Sequence, residues 1–403
     1  MLDYPYRYTV NCSSFAYYWQ HGVGVELLKQ LASPPDLANA DQLIPYLFQW
    51  DKLGDQVVID LHLQAGLQQG NQWLSGFLNG DDLPHQARHT FDRFFENIDL
   101  YPPWLNKNRL AQGQALCQRA GLTALVVLRD YCLMGGYESA AINKPLIYTG
   151  VLKRGAVKRL MDTVEFWVQI MKPENLSKGK EGLRQIFLTR MIHSFSRVQI
   201  LSKTDWDTSK WGIPINHWDL LATQLGFSLV FLVGLRRMGI FPSAQEIDGL
   251  FHLWKYIGYL LGIPLDLLPE NEVQAIEALY YWTMTQREGD DDSRSLAQAL
   301  QQEPLEAFYP KTVLMRKMMR EIHLFYNHFL LGEYSCRLLG LPSSTIGRFA
   351  IANVWMNRKA ERNMQDPTFR MRSIRKGAEE QEHVRQIYQS FSHSETGKRP
   401  DVY

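Results

Sequence analysis

Residues 156–171 read AVKRLMDTVEFWVQIM, and residues 183–201 read LRQIFLTRMIHSFSRVQIL. Both place apolar residues at i, i+3, i+4 and i+7, the period of a helix rather than the alternation of a strand. Residues 248–262 repeat the pattern, and strand-like alternation is scarce elsewhere. Pro173, Pro214, Pro242, Pro264 and Pro342 fall between such segments, where proline ends a helix or shapes a connection. The pattern predicts an all-α protein. Residues 174–182 (ENLSKGKEG) and 287–295 (REGDDDSRS) read as short surface loops, and no linker or fixed-period repeat divides the chain.

The 403 residues carry 43 Lys+Arg against 42 Asp+Glu, a net charge of +1. That balance gives no overall field for nucleic acid or an anionic membrane and leaves room only for a local patch. Eleven tryptophans point to a large core or an apolar ligand site. Cys12, Cys117, Cys132 and Cys336 form no C-x-x-C or C-x-x-C-H pair, so reduced thiols are expected. The N-terminal MLDYPYRYTVNCSSF lacks a basic and then apolar leader, and the apolar stretch Leu225 to Leu235 is shorter than a bilayer span. The expectation is a cytoplasmic protein without a transmembrane segment or a nucleic-acid partner, its oligomeric state open. No H-E-x-x-H, P-loop, G-x-S-x-G or strand-associated G-x-G-x-x-G occurs, which removes the commonest hydrolases, kinases and nucleotide-dependent oxidoreductases.

What remains is polar residues inside apolar helices. His193 shares a face with Ile186, Arg190 and Arg197, on a segment apolar on almost every other side. A buried imidazole flanked by two guanidinium groups resists protonation, and neutral imidazole is the form that binds iron. The arginines could then neutralise haem propionates. The same residues also read as a core histidine held by a carbonyl, with arginines reaching the surface. Arg159, Asp162 and Thr163 stand at i, i+3 and i+4, with Phe166 and Ile170 continuing the face. They read either as an ordinary surface pair or as a polar cluster in an apolar wall, able to place water or polarise dioxygen. His85 and His89, Glu380-x-x-His383 and the basic run Arg370 to Lys376 read as solvated helix faces.

Taken in order, these motifs become specific. After the Arg159–Asp162–Thr163 and His193 helices come WGIPINHWD at 211–219, an apolar helix from Thr223, and LWKYIGYLLGIP at 253–264. Upstream stand PWLNKNRL at 103–110, Gly113 and Thr149-Gly150. Over roughly residues 100 to 365 this order resembles the family of rubber oxygenase (latex clearing protein) and the endoplasmic-reticulum-bound oxygenase of mycophenolic acid synthesis. The resemblance implies a globin-like helical core holding haem b, with His193 as proximal iron ligand and Arg197 close behind it. It implies Arg159, Asp162 and Thr163 on the distal side, and a polar position at Asn216; Arg190 joins the cofactor-binding set from the helical face it shares with His193.

The departures narrow the reaction. Rubber oxygenase has a lysine, able to act as a sixth ligand, where this chain has Asp162; other members carry a carboxylate there. The acidic residue proposed as base for rubber cleavage falls near Asn143, which cannot remove a proton, and His217 and Trp218 replace the residues usual after Asn216. The resemblance therefore points away from polyisoprene and toward a haem b-dependent oxygenase that joins dioxygen to a small apolar substrate, unsaturated or terpenoid. A haem-binding or ligand-sensing protein without turnover, and a helical apolar-ligand carrier without haem, are the competing readings. The expected organisation is an N-terminal helical extension over 1–100 packed on the core, a haem-binding domain over 101–366, and a charged C-terminal segment over 367–403 with a mobile polar tail from Ser392.

Overall fold

The computed structural model describes residues 4–10, 13–150, 155–307 and 309–394. Among these residues every long element is a helix, and extended pairing is confined to two isolated bridges, Tyr8 with Gln286 and Ser139 with Glu288. The two quoted segments form helices Ala156–Met171 and Glu181–Lys203, and the third forms Ala244–Leu260. The acidic run at 290–292 is a helix start rather than a loop. Asp290 caps helix Asp291–Glu306 in a reciprocal box with Ser293, and Asp291 and Asp292 occupy its first turn. Carboxylates there face the positive end of the helix dipole, so the charge read as solvation stabilises the helix instead.

The centre is a single apolar column. His217–Leu225, a widened turn over Gly226–Val230 and Phe231–Arg237 run on as one rod. It is long and apolar enough to cross a membrane, but 72% of its most apolar window is buried within the fold. Phe227 stacks on Trp254 with centroids 4.8 Å apart, and Trp254 on Trp167 at 6.2 Å, which joins the rod to helices 244–260 and 156–171. Helix Lys107–Arg119 crosses helix 244–260 at contact distance: a Cβ on Gly113 would lie 2.4 Å from the Gly249 carbonyl oxygen. Phe15, Trp19 and Leu27 belong to the same core, and Arg7 is buried against Asp219 of the central rod. Cys117, Cys132 and Cys336 are free thiols; Cys12 lies outside the described residues.

The charged C-terminal segment is one helix, Pro367–Ser394, docked on the core. Gly377, Gln381, Val384 and Tyr388 form its inner stripe. Gln381 donates to the Cys117 and Gly121 carbonyls and accepts from Trp167 Nε1, so it serves carbonyls at the junction where helix 107–119 ends. The polar tail expected from Ser392 lies, past Ser394, outside the described residues.

His252, in helix 244–260, shows how one imidazole is built into this packing. Its Nε2 accepts a 2.8 Å hydrogen bond from the Asn106 N–H, and burial, then Arg109, pushes its pKa down to about 4. The unfolded chain takes up that proton near pH 6.5 and the folded one only near 4. The stabilisation is thus complete above about 6.5 and is lost as pH falls toward 4. Urea unfolding at a series of pH values should show this slope, and His252→Asn should remove about one proton from it.

Candidate functional site

Helix 181–203 buries one side, with Leu183, Ile186, Phe187 and Met191, and packs against helices 156–171 and Lys52–Val57, while Ile192 and Leu201 face outward; the all-round apolar pattern thus overstates its burial. Its buried cations are answered from the second of these helices. Arg190 donates Nε and Nη2 to Asp51 at 2.7 and 2.8 Å, donates Nη1 to the Leu260 carbonyl, and lies 4.8 Å over the Phe94 ring. Arg197 donates Nη2 to Asp55 at 2.7 Å, Nη1 to the Ile215 carbonyl at 2.8 Å, and meets the Ser194 hydroxyl. Asp51 also caps helix 52–57 through the Gly54 N–H. A side chain at Gly54 would strike Asp51 Oδ2 at 2.3 Å and Ser194 Oγ at 2.4 Å, so glycine lets the two helices close.

Burial raises the Asp51 carboxyl, but Arg190 overcomes this and holds it below the usual range. Burial dominates at Asp55 and leaves it raised despite Arg197. The sequence reading did not single out Asp51 or Asp55. The available signal was two carboxylates four residues apart, matching two arginines seven apart that need partners.

His193 sits one position from this ion-pair face. Its Nδ1 is buried and meets no partner. Burial, and then Arg197, pushes its pKa down to about 4, with Asp51 opposing. The ring is neutral at physiological pH, and a buried nitrogen without a partner carries a desolvation cost that a ligand would offset. His217 resembles it: both ring nitrogens are buried without partners, and burial pushes its pKa down to about 4 in the field of Asp51 and Arg197. The sequence marked His217 only as a departure.

Asn216 is spent locally. It caps helix 217–225 through the Asp219 N–H and donates to the Ile213 carbonyl and the Asp219 carboxylate. Asp219 in turn holds Arg7.

On helix 156–171, Arg159, Thr163, Phe166 and Ile170 make one stripe, of which only Ile170 is fully covered. Arg159 donates to the Tyr137 hydroxyl at 2.7 Å and lies over that ring, while the Thr163 hydroxyl donates to the Arg159 carbonyl. Asp162 stands beside the stripe, exposed, and pairs with Lys158 at 2.8 Å. Asn143 is buried and donates to the Tyr137 carbonyl and the Ser293 hydroxyl. The structure therefore joins Arg159, Tyr137 and Asn143 in one network; Tyr137 was not read from sequence. It turns Asp162 aside, and it occupies Arg190, Arg197 and Asn216 with structural partners.

Residues 119–358, more than half of the chain, match the catalytic-domain model described as ER-bound oxygenase mpaB/B'/Rubber oxygenase. The chain belongs to this oxygenase family. The rubber oxygenase fold is also visible in space: the structure of latex clearing protein LCP in the closed state superposes with a TM-score of 0.55 at 14% identity, covering 87% of this chain and 93% of that one. A comparison with curated proteins found no significant match. Among the described residues no three His, Cys, Asp or Glu side chains converge on one point. A porphyrin iron asks the protein for a single axial donor, and neutral, unpartnered His193 fits that demand. Arg190 and Arg197, paired with Asp51 and Asp55, have no free guanidinium edge of the kind a propionate would use.

Proposed function

We propose that this rubber oxygenase-family protein is a haem b-dependent oxygenase of a small apolar, unsaturated or terpenoid substrate, working in the cytoplasm. The observation that carries the reading is His193: a neutral imidazole with an unsatisfied buried nitrogen, on a helix that packs against the helix bearing Arg159 and Thr163. Haem, when bound, supplies the redox chemistry by which dioxygen is activated. His193 offers the donor, and the Asp51 and Asp55 ion pairs hold its helix in place. Arg159, fixed by Tyr137, would offer a positive charge to stabilise an oxygen that gains negative charge. Thr163 offers a hydroxyl next to it, and Asp162 provides a carboxylate at the solvent edge for proton exchange. Phe166, half-buried, extends the stripe as an apolar surface for substrate, with the buried Ile170 packed behind it.

Asn143, held by two hydrogen bonds and unable to remove a proton, supports a chemistry other than base-initiated polyisoprene cleavage. The test is oxygen uptake by haem-loaded protein over a panel of terpenes and unsaturated lipids, with product analysis. Uptake coupled to an oxygenated product is expected. Haem and gas binding without any product across the panel would overturn the enzymatic reading in favour of a sensor.

A further inference from the structure

The chain is nearly neutral overall, yet its charge is sharply divided. Residues 309–376 carry 13 Lys and Arg against 4 Asp and Glu, a net +9, while the rest carries 30 against 38, a net −8. The exposed apolar side chains divide the same way. Among the described residues, the large apolar side chains more than three-fifths exposed are Leu314 (69%), Ile346 (64%), Trp355 (66%), Met356 (62%) and Met371 (71%), all within that basic segment.

These residues lie on adjoining elements. Leu314 is in the projecting first turn of helix Val313–Leu331. The short helix Ile346–Ala350 rests on that helix, close enough that a Cβ on Gly347 would lie 2.3 Å from the Glu321 carbonyl oxygen. It runs directly into helix Ile351–Glu361, whose inner face is fixed by Val354 in the core and by Asn357 on the Met238 carbonyl. Trp355, Met356 and Lys359 are left on its outer face. Met371 follows in the opening turns of the C-terminal helix. Lys317, Arg348, Lys359, Arg362 and Arg372 are exposed and make no ion pair among the described residues, whereas Arg7, Arg119, Arg129, Arg190 and Arg197 are buried and paired.

We infer that this face docks on an anionic lipid bilayer, with Leu314, Ile346, Trp355, Met356 and Met371 entering the headgroup–acyl boundary and the unpaired cations meeting lipid phosphates and carboxylates. Interleaved cationic and bulky apolar residues on exposed helix faces suit a bilayer. The buried centre of a protein–protein interface, by contrast, is depleted in lysine.

The test is co-sedimentation of the full-length protein with phosphatidylcholine vesicles, with and without about 30% phosphatidylserine; at least about tenfold tighter binding to the anionic vesicles, weakened by salt, is expected. Leu314→Glu with Trp355→Glu should lower binding about tenfold or more at unchanged circular dichroism, since both side chains are exposed. The charge variant Arg348→Glu with Lys359→Glu and Arg372→Glu should abolish the anionic preference, and it stands in should the first variant misfold. Equal binding to both vesicle types, or variants that bind as wild type does, would overturn the inference. So would a wild type that ignores vesicles but forms a dimer in analytical ultracentrifugation that Trp355→Glu dissolves, which would assign the face to a second copy.

Discussion

Asp51→Ala is expected to destabilise the protein by about 3–5 kcal/mol, which is the cost of leaving one member of a buried ion pair without its partner. Both side chains of the Asp51–Arg190 pair are only 4% exposed, and the guanidinium makes two direct bonds to the carboxylate. The substitution also removes the cap on helix 52–57, adding to the loss. Asp51→Leu combined with Arg190→Met should recover much of the stability, because apolar residues of similar volume replace an ion pair at small cost. Chemical unfolding of the two single variants and the double variant would measure the coupling. A single variant within 0.5 kcal/mol or so of wild type would contradict a buried, mutually dependent pair.

Arg159→Ala is expected to lower turnover of the haem-loaded enzyme by about 10²–10³-fold, with haem binding retained. The guanidinium is anchored by its 2.7 Å bond to the Tyr137 hydroxyl and its position over that ring. Tyr137→Phe keeps the ring and loses the bond, so it should give a smaller loss, about tenfold, expressed in kcat more than in KM. A residue that only supported the fold would change stability and leave this split untouched. Steady-state oxygen uptake at saturating and limiting substrate separates the two cases.

Much of the helical framework is legible in sequence because each long apolar segment carries its own period. The segment 156–171 coincides with its helix, and 183–201 lies within helix 181–203. Readings failed where the decisive partner is distant or the residue type misleads. Arg190 meets a carboxylate 139 residues earlier in the chain, and no local pattern links the two. Gly377 and Gln381 anchor the inner stripe of the C-terminal helix, yet one has no side chain and the other is polar, so hydropathy hides that stripe. Asp290 to Asp292 look solvated until their place at a helix start gives them work on the dipole. At the site, His193 and Arg159 are readable as polar residues in apolar helices. The commitments of Arg190, Arg197 and Asn216 to other protein groups, and the role of Tyr137, emerge only from the packing.

On the proposed function, His193 is the residue through which this chain takes up haem. The most direct measurement of that role is a spectroscopic titration of haem into wild type and His193→Ala, followed by addition of free imidazole to the variant. A Soret band is expected that saturates at one haem per wild-type chain, is lost in the variant, and returns in part when imidazole fills the space the side chain left. A wild type that stays colourless, or a variant that binds haem with an unchanged spectrum, would contradict that role.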